Sequence, residues 1–272
     1  MRFALERFLY RLSKSPHEHE FVLKGAMLFA IWSSHPHRAT KDLDLLGSGT
    51  PDPERLSSVF RDVCAVAVED DGVTFDSATV VATRIKEDAE FEGVRVKLDG
   101  KLGSAKLAVQ VDVGFGDTVI PPPTIMQFPT LLPLPAPVVR VYARETVIAE
   151  KLHAMVDLGM ANTRLKDFFD LWFLSQKFGF RGEPLASAVR ATFEQRQTAI
   201  LLDPVALTDT FAFDGPKQTQ WHAFLSRSRV TDKTVGLDRV VAEIALFLGP
   251  VLRAAGGVAP TPSTWVAGGP WK

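Results

Sequence analysis

The sequence predicts an α+β protein, a mixed sheet with flanking helices followed by a helical C-terminal part. Three observations predict it. Residues 73–117 alternate apolar and polar side chains with period two, as strands do. Residues 121–137 then hold seven prolines, which forbid a helix or a central strand. Beyond Val141 apolar residues return at helical spacing.

Taken in order, residues 3–13 set Leu5, Phe8, Leu9 and Leu12 on one helical face, with Arg2, Glu6, Arg7 and Arg11 elsewhere around it. That is an amphipathic helix covering the sheet. Residues 21–46, FVLKGAMLFAIWSSHPHRATKDLDLL, read as strand, helix, loop and strand, with a turn at Lys24-Gly25. A loop follows, and residues 53–67 form a second helix whose Arg61 and Asp62 face water. Turns at Glu92-Gly93 and Asp99-Gly100 divide the period-two region into a meander. In its last member, KLAVQVDVGFGD, Leu107, Val109, Val111 and Val113 line one face and Ala108, Gln110 and Asp112 the other. The proline-rich stretch is expected to be an extended connector at a domain boundary, and Val138–Val141 a last strand.

Helices are predicted with Ile148, Leu152 and Met155 on one face and a stop at Gly159, then over 163–179, 184–202, 219–227 and 237–255. The tail, GGVAPTPSTWVAGGPWK, is rich in Gly and Pro and is expected to be mobile. The expected domains are 1–137, 138–255 and a flexible 256–272.

At 272 residues with 46% hydrophobic and 23% charged content, the chain has ordinary globular composition. No stretch approaches the roughly 18–20 unbroken apolar residues of a membrane helix, and the start, MRFALERFLYRLSK, is too charged for a signal peptide. A cytoplasmic protein is expected. One cysteine, Cys64, excludes an intramolecular disulfide and a Cys-rich zinc site; it is expected to be a buried thiol. The net charge of −1 supplies no global field for nucleic acid.

Within KDLDLL, Leu43 and Leu45 point to the core while Asp42 and Asp44 share the opposite face. Adjacent carboxylates repel unless a cation sits between them, and Mg²⁺ prefers a few carboxylate oxygens plus substrate phosphates. The pair therefore reads as a metal clamp or as a solvated strand edge. Asp112, a lone acid at mid-strand, either faces solvent or joins it. Lys24-Gly25 before a helix reads as a tight turn or as a phosphate site. Lys151 is a solvated lysine or a cation on triphosphate oxygens. Arg164, Lys166, Asp167 and Asp170 read as a salt-bridge net or as catalytic groups, with Lys166 spaced to pair with Asp170.

The order L-K-G, R-x-T-K-D-L-D-L, Q-V-D-V-G-F-G-D, A-E-K-L-H-A and R-x-K-D-F-F-D-L over residues 21–174 resembles the AbiEii/AbiGii-type nucleotidyltransferases. These include toxins of type IV, AbiE-like toxin–antitoxin systems and the related MenAT-type toxins. The resemblance implies a DNA polymerase β-like nucleotidyltransferase domain, a helical domain completing the active site, and transfer of a nucleotide from an NTP with Mg²⁺ or Mn²⁺. It implies that Asp42 and Asp44 hold the metal on the triphosphate, and that Asp112 completes the cluster and accepts the proton of the attacking hydroxyl. Two metals would suit an in-line displacement.

Lys151 matches the family lysine, Asp167 an aspartate needed for activity, and Thr40 a Ser/Thr position near the nucleotide. Arg38 lies where a basic group reaches phosphate. Many relatives have a second glycine or a serine where this chain has Ala26, which leaves phosphate contact to backbone N–H groups, Gly25 and Lys24. The resemblance further implies an RNA acceptor, the tRNA 3′ end, with Arg190, Arg196, Arg227 and Arg229 available to its phosphates, and a cognate antitoxin. The alternatives are a protein or small-molecule acceptor, or a catalytically silent relative that only binds nucleotide or a partner. Replacing Asp42, Asp44 or Lys151 by Ala is expected to abolish activity and leave the fold intact.

Overall fold

Strand-forming and helix-forming segments alternate early in the chain and separate later. A computed structural model describes residues 1–33, 40–86, 92–228, 230 and 232–272. Its contacts divide the chain into two units, one built from the described residues up to Asp117 with Pro123–Tyr142, the other from Thr118–Pro122 and Ala143–Lys272.

In the first unit a helix over Arg2–Leu12 (α1) leads into strand Phe21–Lys24 (β1), a 3₁₀ turn over Gly25–Met27 and a short helix Leu28–Trp32 (α2). Strand Leu43–Gly47 (β2), helix Pro53–Ala65 (α3), and strands Val73–Lys86 (β3), Glu92–Leu102 (β4) and Ala105–Phe115 (β5) follow. Strands Thr124–Gln127 (β6) and Val138–Val141 (β7) complete a seven-stranded sheet in the order β3-β4-β5-β2-β1-β7-β6. It is mixed: β2 runs parallel to β5 and β1 to β7, and the other neighbours are antiparallel.

Leu43, Leu45, Val111 and Val113 are buried on one face. Phe8 of α1 stacks on Phe60 of α3 at 5.7 Å and meets Phe75 of β3 edge-on at 5.1 Å. Each such ring contributes about 1.5–3 kcal/mol by leaving water. Asp52 caps α3 by accepting from Glu54 N and Arg55 N, and Pro53 follows at the first helical position. Arg61 and Asp62 are exposed. Cys64 is half-buried, and burial pushes its thiol up to about 11, so it stays protonated and unreactive at neutral pH.

Three expectations for this unit change. The proline-rich stretch is not wholly irregular: Thr124–Gln127 is free of proline and forms the edge strand β6. Gly93 and Gly100 mark no turns but lie inside β4, whose turn to β5 falls at Gly103-Ser104. At Gly100 a side chain would stand 2.8 Å from the Thr74 carbonyl oxygen of β3. The charges of α1 are also not at its surface. Glu6, Arg7 and Arg11 are buried, because Arg7 Nε donates to Asp71 Oδ2 at 2.7 Å and Arg11 grips both Asp71 oxygens at 2.8 and 3.0 Å. Arg7 also donates to the Pro135 carbonyl and Glu6 accepts from Leu131 N, which fastens the proline-rich stretch to α1.

The second unit is helical. It holds Arg144–Leu158 (α4), Leu165–Lys177 (α5), Gly182–Gln195 (α6), Asp209–Ala212 (α7), Gly215–Arg227 (α8) and Leu237–Ala255 (α9). Gly159 ends α4 with φ 48°, and α6 stops short of the predicted 202. The tail differs from the mobile segment its composition predicts. Strand Phe180–Arg181 (β8) pairs with Thr264–Trp265 (β9), and Trp265 is buried and donates to the Ser175 carbonyl at 2.8 Å. Trp271 stacks on Phe247 at 5.9 Å. Two indoles anchor what glycine and proline alone would leave loose. Among the described residues no helix is long and apolar enough to cross a membrane.

Burial pushes the Asp71 carboxyl upward, but the hydrogen bonds from Arg11 and Arg7 outweigh it and hold it below its ordinary 3.8. Its folded pKa is therefore depressed, so its contribution to stability is complete above 3.8 and is lost as pH falls through the folded value. Asp71→Ala leaves two guanidinium groups buried without their carboxylate and should cost about 3–5 kcal/mol in urea unfolding at pH 7. The difference between the two proteins should shrink on acidification below pH 3.8.

Candidate active site

The pairing of four strands sets four charged residues in a row on the sheet face opposite Leu43 and Leu45. Lys24 of β1 is in register with Asp44 of β2, Asp44 with Asp112 of β5, and Asp112 with Arg95 of β4. The sequence of charges across the sheet is cation, acid, acid, cation. Neighbouring strands lie about 4.8 Å apart, so the two central carboxylates repel and the flanking cations offset them. Asp42 lies immediately before β2, is half-buried, and its field reaches Arg95.

Each member is held. Arg95 donates from Nε to Asp112 Oδ1 and from its terminal nitrogen to Oδ2, both at 2.8 Å, and Gln110 adds a bond to Oδ2 at 3.3 Å. Lys24 is buried and donates to Asp117 Oδ2 at 2.6 Å, which also accepts from the Tyr142 hydroxyl at 3.0 Å. Gly25 has φ +70°, and a Cβ there would fall 2.0 Å from Asp44 Oδ2. The Asp44 carboxylate thus rests on bare backbone at the start of the 3₁₀ turn, a place that only glycine leaves open. Thr40 donates from Oγ1 to the Asp42 carbonyl at 3.2 Å, shaping the approach to β2. Arg38 lies outside the described residues, as does Arg229.

In the helical unit Lys151 of α4 meets two acids of α5. Its Nζ donates to Asp167 Oδ1 and stands 2.9 Å from Asp170 Oδ2, while Arg164 Nε lies 3.1 Å from Asp167 Oδ2. Asp167 and Asp170 are 2% and 0% exposed, so these carboxylates need cations beside them, and Lys151 serves both while Arg164 serves Asp167. Asp170 takes Lys151 of the neighbouring helix, an interaction that spacing within α5 does not suggest. Lys166 is exposed.

The structure therefore brings Asp44, Asp112, Lys24 and Gly25 together, with Asp42 and Thr40 leading into β2, and separately gathers Lys151, Asp167, Asp170 and Arg164. Sequence reasoning missed Arg95, Asp117 and Tyr142. The alternation Val94-Arg95-Val96-Lys97 already puts Arg95 on the polar face of its strand, but its partner depends on register.

Asp42, Asp44 and Asp112 supply the hard oxygen donors that Mg²⁺ prefers. As they stand, no three acid, His or Cys side chains among the described residues form a ready metal cluster. Asp112 has both oxygens engaged by Arg95. The donor chemistry of Asp42 and Asp44 fits a divalent ion.

A mixed sheet presenting paired acids beside a glycine turn, with a helical C-terminal unit, is the architecture expected of a nucleotidyltransferase. The chain belongs to the AbiEii family: the model described as "Nucleotidyl transferase AbiEii toxin, Type IV TA system" matches residues 7–243. No match was found among curated proteins. Among solved structures the chain resembles a candidate nucleotidyltransferase from H. pylori at 15% identity and a TM-score of 0.50, with 92% of this chain and 91% of that chain covered. A second likeness, JHP933 from Helicobacter pylori, has 15% identity, a TM-score of 0.48, and covers 92% of this chain and 88% of that chain. The first of these shows the shared fold.

Gly25→Ala should displace Asp44 and force a strained φ, costing about 1–3 kcal/mol in thermal or urea unfolding and about 10²-fold in nucleotide transfer. Lys151→Ala should do more than abolish activity, contrary to what the sequence suggests. It removes a cation shared by two buried acids, of which Asp167 keeps Arg164, and should destabilise the protein by about 3–5 kcal/mol in the same measurement.

Proposed function

We propose that this enzyme transfers a nucleotide from an NTP to an RNA acceptor, the tRNA 3′ end, in a reaction dependent on Mg²⁺ or Mn²⁺, and so blocks translation. The observation that carries the reading is the register pairing of Asp44 with Asp112 on parallel strands, with Asp42 leading into the same face. Asp42 and Asp44 would hold the cation, with Asp112 completing the cluster. When bound, it offsets triphosphate charge and orients the α-phosphate for in-line displacement.

The chain's own groups do the remaining work. Asp112 takes the proton of the attacking hydroxyl on its carboxylate oxygen. Lys151 supplies positive charge toward the triphosphate as the leaving group departs, and Asp167 positions that lysine through their hydrogen bond. Gly25, Lys24 and Thr40 are assigned to the nucleotide, and by the family resemblance Arg38, which lies outside the described residues, is assigned to its phosphates. The acceptor rests on the resemblance to the AbiEii and MenAT-type toxins, and Arg190, Arg196 and Arg227 are the candidate contacts to its phosphates, with Arg229 outside the described residues. Membership in a toxin–antitoxin family implies an NTP substrate and a cognate antitoxin.

Purified protein should be incubated with each NTP in turn, Mg²⁺ and bulk tRNA, and the RNA 3′ ends sequenced. Added nucleotides that vanish with chelator, and fall at least about 10³-fold in Asp42→Ala and Asp44→Ala, are the expected result. Label entering protein or a small molecule instead of RNA would overturn the acceptor, and transfer undiminished in both variants would overturn the assigned site.

A further inference from the structure

The cation beside the acids is part of the protein itself. Arg95 lies in register with Asp112, which lies in register with Asp44, so the guanidinium stands at the end of the acidic row. Its two bonds to Asp112, both at 2.8 Å, form a fork that takes one bond on each carboxylate oxygen. The Arg95 side chain is 36% exposed and that of Asp112 13%, so the fork is part-buried and water reaches it from the arginine side. The hydrogen bonds that Arg95 donates to Asp112, together with the fields of Asp112, Asp42 and Asp44, hold Arg95 charged more firmly than an isolated arginine. It thus feels all three acids while touching one.

We propose that Arg95 is the resident counter-ion of the Asp42, Asp44 and Asp112 cluster and competes with the divalent cation for Asp112. The inference rests on the metal-dependent reading above. In the metal-free protein the guanidinium offsets the repulsion between neighbouring carboxylates and keeps the row folded. On metal binding Asp112 must exchange a fixed monovalent partner for a mobile divalent one, and the cost of breaking the fork lowers metal affinity. The repulsion between a unit charge and a divalent ion bound to a neighbouring carboxylate, in water-like surroundings, corresponds to about tenfold in a dissociation constant. Arg95 is accordingly a positioning residue that sets the metal concentration at which the site assembles.

The test is Mn²⁺ binding to the full chain without NTP, read from the loss of the free-ion electron paramagnetic resonance signal. Arg95→Gln should bind Mn²⁺ about tenfold more tightly than the parent, and should melt at a lower temperature without metal, with the deficit recovered on adding Mn²⁺. Arg95→Lys, which keeps the charge but loses the fork, should fall between the two and serves if the glutamine variant is too unstable to titrate. Asp44→Asn should weaken binding. Equal or weaker Mn²⁺ affinity in both Arg95 variants, with Asp44→Asn still weakened, would overturn the role of Arg95 and leave the metal reading standing. No Mn²⁺ binding in parent or variants would overturn both.

Discussion

The parallel pairing of β2 with β5 is the constraint on which the site depends. An antiparallel hairpin would also bring two strands together, but here β5 reaches β2 only after the β3–β4–β5 meander has run outward and back. That path puts Asp44 beside Asp112 and Leu45 beside Val113, so acids face one way and core the other. A shift of β2 by one residue would turn Asp44 towards the core and expose Leu43 and Leu45. The apolar face therefore fixes the register, and the register fixes the chemistry.

Such a row of charges is costly, and the protein answers at both ends of it. Arg95 closes one side, Lys24 the other, and Asp117 with Tyr142 holds Lys24 in place. Gly25 gives Asp44 room that any side chain would take. The same device recurs elsewhere. Asp71 is buried under Arg7 and Arg11, and Asp167 and Asp170 are buried against Lys151. Buried ion pairs are a poor source of net stability, but once formed they admit few alternative partners. In this chain they fix α1 to the proline-rich stretch and α4 to α5.

Much of this was legible in the residues. The D-x-D alternation, the meander, β7, α4, α5 and the bounds of α9 follow from period and capping signals, and Asp112 stood out as a polar residue in an apolar strand. What escaped notice depends on partners far away in the chain. Arg95 looks like any polar residue on a strand until register sets it beside Asp112. Arg7 and Arg11 look like solvent-facing charges of an amphipathic helix until Asp71 arrives from the start of β3. Lys24 is recognisable beside its glycine, but the partner that fixes it, Asp117, lies 93 residues on. Thr124–Gln127 and the tail were misjudged because proline and glycine dominate their composition, while four proline-free residues and two tryptophans decide their structure.

The central claim is that the acids aligned by β2 and β5 perform nucleotide transfer. Its most direct measurement is the rate of α-phosphate label transfer from NTP to RNA by the parent and by Asp44→Asn, with circular dichroism melts showing both folded. The asparagine keeps shape and removes one charge. The account predicts a loss of at least about 10³-fold with the fold retained. Transfer by folded Asp44→Asn at the parental rate would contradict it.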